Sequence, residues 1–250
     1  MCLCIVFFAD DTGIVDGTAR LNAEDSSHAL RVLRLEEGDE IELVAAPSRY
    51  LAKISSADAG IVTAQILEEL RMTEAKTRVT LYQGLPKADK RELIVQKATE
   101  LGAYAVQPVA MERCVVRLDG KDAAKKTERW QKIAREAVKQ CARISVPEVR
   151  LPQKLSQLER ELSQLDLLIV PWEDARDGGI RESLAPFEGR ETLSVGILIG
   201  PEGGIDAKEA QWLTERAGAK LVTLGARILR TETAALAALT MAMAYRGEME

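Results

Sequence analysis

Two segments hold residues whose types and spacing suit chemistry. Gly200-Pro201-Glu202-Gly203-Gly204 follows the apolar run 195–199, and Gly225-Ala226-Arg227-Ile228-Leu229-Arg230-Thr231-Glu232-Thr233 follows 221–224. Glycine opens backbone dihedrals closed to other residues and lets a ligand approach main-chain N–H and C=O groups. Neither segment is G-x-G-x-x-G and neither ends in Gly-Lys-Ser/Thr, so a phosphate cradle is disfavoured. Amides and carbonyls offered to an adenine and a sulfonium are a better fit. A tight turn leading into a helix capped by Asp206 is the equal alternative. The candidate cofactor contacts are Leu198, Ile199, Gly200, Pro201, Glu202, Gly203, Leu224, Gly225, Ile228, Leu229 and Thr231.

Other chemistries are poorly served. His28 is the sole histidine, so a histidine-based metal site is excluded and Ser-His-Asp catalysis would have to run through that one residue. Cys2, Cys4, Cys114 and Cys141 lack zinc-site spacing and read as buried free thiols. No metal is expected. No apolar run reaches the roughly 18 residues of a membrane span. The apolar start, 1–8, lacks a basic leader and runs into Asp10 and Asp11, so it reads as a first strand rather than a signal peptide. A cytoplasmic protein is expected.

The elements that must hold these segments change rhythm along the chain. Residues 41–44, 51–54 and 61–67 are apolar or alternating runs separated by turn formers such as Pro47-Ser48, which predicts a small β-barrel. One short helix starts near 22–25, with Leu30 and Leu33 on one face. After about residue 75, strands at 78–83, 104–109, 167–170, 195–199 and 221–224 alternate with helices, which predicts an α/β domain with a parallel sheet. Asp89 with Glu92 resembles a capping box, and Gly102 ends that helix. A second helix carries Trp130, Ile133, Ala134, Ala137, Val138 and Cys141 at helical spacing. Asp206 and Glu209 cap a third, and 231–245 is a final Ala-rich helix. Ligands of open α/β sheets bind beyond the carboxyl ends of strands, which is where both glycine segments fall. The expected domains are 1–72 and 73–250.

The net charge of −5 does not advertise a polyanion partner, but its distribution is uneven. Residues 1–70 hold 5 Lys and Arg against 13 Asp and Glu, and residues 71–150 hold 18 against 10. A basic middle between acidic flanks fits either an electrostatic footprint for a polyanion or a solvated lysine-rich helix.

The run 198–204 and the run from Leu224-Gly225 through Ile228-Leu229-Arg230-Thr231-Glu232-Thr233-Ala234 resemble the paired signature of the bacterial 16S ribosomal RNA uracil-N3 methyltransferases, the RsmE type of the SPOUT class. Lys90-x-Glu92 with Gln96-Lys97-Ala98-Thr99-Glu100-Leu101-Gly102, Glu112-Arg113-Cys114, Trp130-Gln131-Lys132-Ile133, Gln140-Cys141 and Val146-Pro147-Glu148 continue the likeness in motif order. His28 with Arg31-Val32-Leu33-Arg34-Leu35 and Gly38-Asp39 resembles the family's PUA-like RNA-binding domain. The likeness departs at the start, where Met1-Cys2-Leu3-Cys4-Ile5-Val6 stands in place of a basic and aromatic stretch.

The resemblance implies a trefoil-knotted α/β sheet with helices on both faces behind a PUA-like β-barrel, S-adenosyl-L-methionine as cofactor, a homodimer, and 16S rRNA or the small ribosomal subunit as partner. The implied reaction is methylation of N3 of a uridine. Its alternatives are a SPOUT methyltransferase acting at another RNA site and a non-catalytic RNA-binding assembly factor. Glu232 is then a candidate base, weakened by its place at a helix N-terminus. Arg230 would stabilise developing anionic charge or hold a phosphate. His28, Arg31, Arg34, Lys87, Lys90, Arg113 and Arg143 are candidate RNA contacts, with solubilising charge as the alternative for each. The Ala-rich face of 231–245 permits close packing, either at a dimer interface or inside one subunit.

Overall fold

The computed structural model describes residues 6–70, 74–118 and 120–249, with the side chains of Ala88 and Asp89 left aside. Cys2 and Cys4 lie outside the described residues. The contacts divide the chain into two compact units. The first contains 1–74 and 138–146, and the second contains 75–137 and 147–250. The return of 138–146 to the first unit is a second crossing that the change of rhythm near residue 75 does not reveal.

In the first unit, β1 (Val6–Val15), β2 (Thr18–Leu21), β3 (Glu40–Ala45), β4 (Ser48–Asp58) and β5 (Ile61–Leu70) close a barrel in the order β1-β2-β5-β4-β3. Alternate residues of these strands face inward: Phe7, Leu21, Leu43, Ile54 and Val62 form its core. The short helix α1 (Ala23–Ser27) starts where expected, because the Asn22 side chain accepts from the Asp25 N–H at 2.8 Å. It continues as a π-turn over His28–Val32. Asp25 is fully buried; it accepts from the Phe8 N–H at 2.7 Å and pairs with Lys139 Nζ at 2.7 Å. A buried carboxylate without such partners would be strongly destabilising.

The second unit is the α/β domain. It runs β6 (Thr77–Gly84), α2 (Ala88–Glu100), β7 (Ala105–Ala110), α3 (Gly120–Cys141), β8 (Glu148–Val149), β9 (Gln153–Lys154), α4 (Glu159–Leu162), β10 (Leu167–Pro171), α5 (Ile180–Leu184), β11 (Leu193–Ile199), α6 (Ala207–Ala217), β12 (Lys220–Val222) and α7 (Thr231–Tyr245). The last turn of α3 belongs to the first unit. The sheet order is β12-β10-β11-β6-β7-β8, with β9 beside β7, and every pair is parallel. Side chains from α4 and α6 pack with Tyr82, Leu168 and Leu198, while α7 packs on α2, α5, β6 and β11. Both faces of the central strands are therefore covered, which is why they read as continuous apolar runs.

One expectation changes. The helix α2 starts at Ala88 with Lys87 as its cap, so Asp89 is not the capping position; the Lys87 N–H donates to Glu202 Oε1 at 2.9 Å, and Glu92 pairs with Arg129 at 2.7 Å. The helix α3 begins at Gly120, ahead of the apolar spacing that signals it. On the small face of α7, Ala235, Ala238 and Ala242 are buried, and a Cβ on Gly102 would lie 2.7 Å from Met243 Cε, which is the within-chain packing of the two that the sequence leaves open.

Candidate functional site

Because β6, β10, β11 and β12 are parallel and adjacent, the loops leaving β10, β11 and β12 emerge on the same side of the sheet. They enclose a cavity of about 1080 Å³. Its wall comes from 171–176, 199–205 and 223–231, closed by Ala234 of α7. Both glycine segments singled out in the sequence thus meet at one site.

The β11 loop is held from three directions. Thr231 is buried, and its hydroxyl donates to the Gly200 carbonyl at 2.6 Å while accepting from Gln83 Nε2 at 2.9 Å. Gly84 lets the loop press onto β6, since a Cβ there would lie 2.6 Å from Pro201 N. Arg113 spans the far side: Nη1 donates to the Gly203 carbonyl at 3.2 Å, and Nη2 pairs with Asp206 at 3.3 Å. Asp206 also caps α6 by accepting from the Lys208 N–H.

Of the expected cofactor contacts, Ile199, Gly200, Pro201, Glu202, Gly203, Leu224, Gly225, Ile228, Leu229 and Thr231 line the cavity, as does Arg230. Leu198 does not. Neighbouring strand residues point to opposite faces, so Leu198 is fully buried in the core with α6 while Ile199 reaches the cavity. The third loop was missed. Trp172, Glu173, Asp174 and Arg176 line the cavity, and the argument from strand ends applies to 167–170 as well. The lining carboxylates of Glu173, Asp174 and Glu202 suit a cationic centre, and Arg176, Arg227 and Arg230 suit an anionic group. With exposed glycine backbone between them, the residues present fit S-adenosylmethionine, which carries a sulfonium, an ammonium and a carboxylate.

Glu232 stands in the first turn of α7 but outside the cavity wall; it pairs with Lys90 Nζ at 2.9 Å. Burial alone would raise its pKa, but the Lys90 hydrogen bond, its own backbone N–H and the charges of Lys90 and Arg230 outweigh that and lower it. Glu232 is therefore held as the carboxylate.

The RNA candidates separate by environment. Arg31 and Arg34 are exposed, and His28 is half-buried, edge-on to Phe7 with ring centroids 6.4 Å apart. Lys87 is exposed, Lys90 is bound to Glu232, and Arg113 is engaged with the β11 loop. Arg143 is corrected. It is 6 % exposed and holds Glu74 at 2.7 Å, because an arginine on the buried side of a turn needs a carboxylate rather than solvent. Among the described residues no group of three or more His, Cys, Asp or Glu is arranged to hold a metal, and no helix is long and apolar enough to cross a membrane.

Comparison with known proteins agrees with the geometry. A family model described as an RNA methyltransferase domain matches residues 73–243, and one described as an RNA methyltransferase PUA domain matches 21–67. Ribosomal RNA small subunit methyltransferase E of Bacillus subtilis (strain 168) is 38% identical over 237 residues, 93% of this chain and 91% of its own. The enzyme of that name from Neisseria gonorrhoeae, solved bound to S-adenosyl methionine, superposes with a TM-score of 0.77 at 31% identity, covering 96% of this chain and 97% of its own. A methyltransferase from Legionella pneumophila, solved with bound SAM, gives 0.79 at 30% identity with the same coverage. A parallel sheet with a loop-built cavity at its strand ends, in one chain with a PUA-type barrel and similar over nearly its full length to structures solved with S-adenosyl methionine, marks a methyltransferase. Within that class, the chain belongs to the RNA methyltransferase family.

Proposed function

We propose that the protein transfers a methyl group from S-adenosylmethionine to N3 of a uridine in the 16S rRNA of the small ribosomal subunit. The convergence of both signature segments on one cavity of about 1080 Å³ carries this reading, and the relatives named for small-subunit rRNA methylation support it. S-adenosylmethionine supplies a methyl already activated on positively charged sulfur, so its S–C bond breaks as the N3–C bond forms.

The chain's own residues position and discharge. Gly200, Pro201, Gly203, Leu224, Gly225, Ile228, Leu229 and Thr231 offer the backbone and apolar wall for the cofactor, together with Ile199, Glu202 and the 171–176 loop. N3 lies on the Watson–Crick edge, so the base must be unpaired or swung out, and N3 must lose its proton. Glu232 is the proposed acceptor of that proton and Arg230 the group that stabilises the uracil anion. A carboxylate with lowered pKa is a weak base, so most of the acceleration comes from alignment. Arg31, Arg34 and His28 on the barrel and Lys87 on the catalytic unit are the proposed contacts to RNA. Lys90 serves instead by fixing Glu232, and Arg113 by fixing the β11 loop.

The trefoil knot, the homodimer and a cytoplasmic location belong to the same proposal. The insertion of β11 between β10 and β6, with α7 returning against β6, supports the knot. Mass spectrometry of rRNA from a strain lacking the gene tests the substrate: one methylated uridine should disappear, and an unchanged profile contradicts the reading.

A further inference from the structure

We propose that the solvent face of α3 is a track for the sugar–phosphate backbone of the RNA substrate, an inference that rests on the RNA reading above. At 100° per residue, Lys121, Lys125, Lys132 and Arg135 fall within an arc of about 80°, and all four are exposed. The opposite side of the helix is apolar and buried through Ala123, Trp130, Ala134 and Ala137. From Lys121 to Arg135 the row is about 21 Å long at 1.5 Å per residue, enough to face several successive phosphates. All four residues lie in the catalytic unit.

The row is poorly neutralised. Among the described residues, Lys121, Lys125 and Arg135 have no ion pair, and Lys132 has only Glu128, within the same arc, at 3.9 Å. Lys121 and Lys125 stand one turn apart, where like charges repel. A chain of net charge −5 gains nothing in solubility from concentrating unpaired cations on one line. A polyanion does gain: each phosphate met releases condensed counterions. The row also leads toward the site. Arg129 of α3 holds Glu92 of α2 at 2.7 Å, and Lys90 of α2 holds Glu232 at 2.9 Å beside the cofactor loop.

The test uses full-length protein with Lys121→Gln, Lys125→Gln, Lys132→Gln and Arg135→Gln combined, and transcribed 16S rRNA as the probe. The slope of log affinity against log salt should shrink by about 3 to 4 for four contacts worth about 0.7 to 0.9 each. S-adenosylmethionine affinity and the melting temperature should stay unchanged. A second variant with Arg at all four positions should restore the slope. An unchanged slope in a variant that still binds S-adenosylmethionine overturns the proposal. So does unchanged RNA affinity combined with slower methylation of assembled subunits, which would assign the face to a ribosomal protein. Should the unaltered protein methylate no rRNA at all, the substrate reading fails, and the salt slope still decides the track.

Discussion

The Thr231 hydroxyl donates to the Gly200 carbonyl at 2.6 Å and accepts from Gln83 at 2.9 Å, tying the start of α7 to β6 and to the first residue of the β11 loop. This one side chain joins the two signature segments. Thr231→Val keeps the shape and removes both bonds, leaving buried polar groups unpaired at a cost of about 1 to 3 kcal/mol. Calorimetry should show S-adenosylmethionine affinity at least about tenfold weaker. Unchanged affinity would mean that the loop keeps its shape without that link.

Gly84 tests the same loop through sterics. Gly84→Ala places a Cβ 2.6 Å from Pro201 N, a backbone atom that cannot rotate away, so the loop must shift. Cofactor binding should be lost while the far-UV circular dichroism stays native. Full binding by this variant would contradict the close approach of β6 to the loop.

Arg143 and Glu74 predict a stability effect without an RNA effect. Burial would raise the Glu74 pKa, but the Arg143 hydrogen bond and charge and the Ser145 N–H outweigh it and lower it below 4.5. A carboxylate lowered on folding adds stability that is complete above about pH 4.5 and is lost as pH falls through the lower folded value. Arg143→Ala removes the cation beside a largely buried carboxylate and leaves it only the Ile144 and Ser145 N–H donors, at a cost of up to about 3 kcal/mol. Thermal melts should show a drop at pH 7 that narrows on acidification below pH 4.5, with RNA affinity within twofold of the unaltered protein. A loss of RNA affinity at an unchanged melting temperature would return Arg143 to the RNA surface.

What the residues disclose depends on how local the determinant is. The cap at Asn22, the C-terminal Gly102 and the α7 span are set by nearest neighbours and read directly from sequence. Strand-end loops were recognised where glycines marked them, but the 171–176 loop, marked by Pro171-Trp172-Glu173, was not, although its strand was read. Leu198 was misplaced because alternation across a strand separates side chains that sequence sets side by side. Arg143 and the Glu202 cap on α2 were illegible for another reason. Their partners, Glu74 and the Lys87 N–H, are 69 and 115 positions away, and no periodicity reports such a pairing.

The central claim is that the three-loop cavity delivers a methyl group to uracil N3. Incubating the purified protein with small-subunit rRNA and deuterium-labelled S-adenosylmethionine, then analysing nucleosides by mass spectrometry, tests it most directly. The account predicts labelled 3-methyluridine, abolished by Gly84→Ala. Label on another atom or base, or none at all, would contradict it.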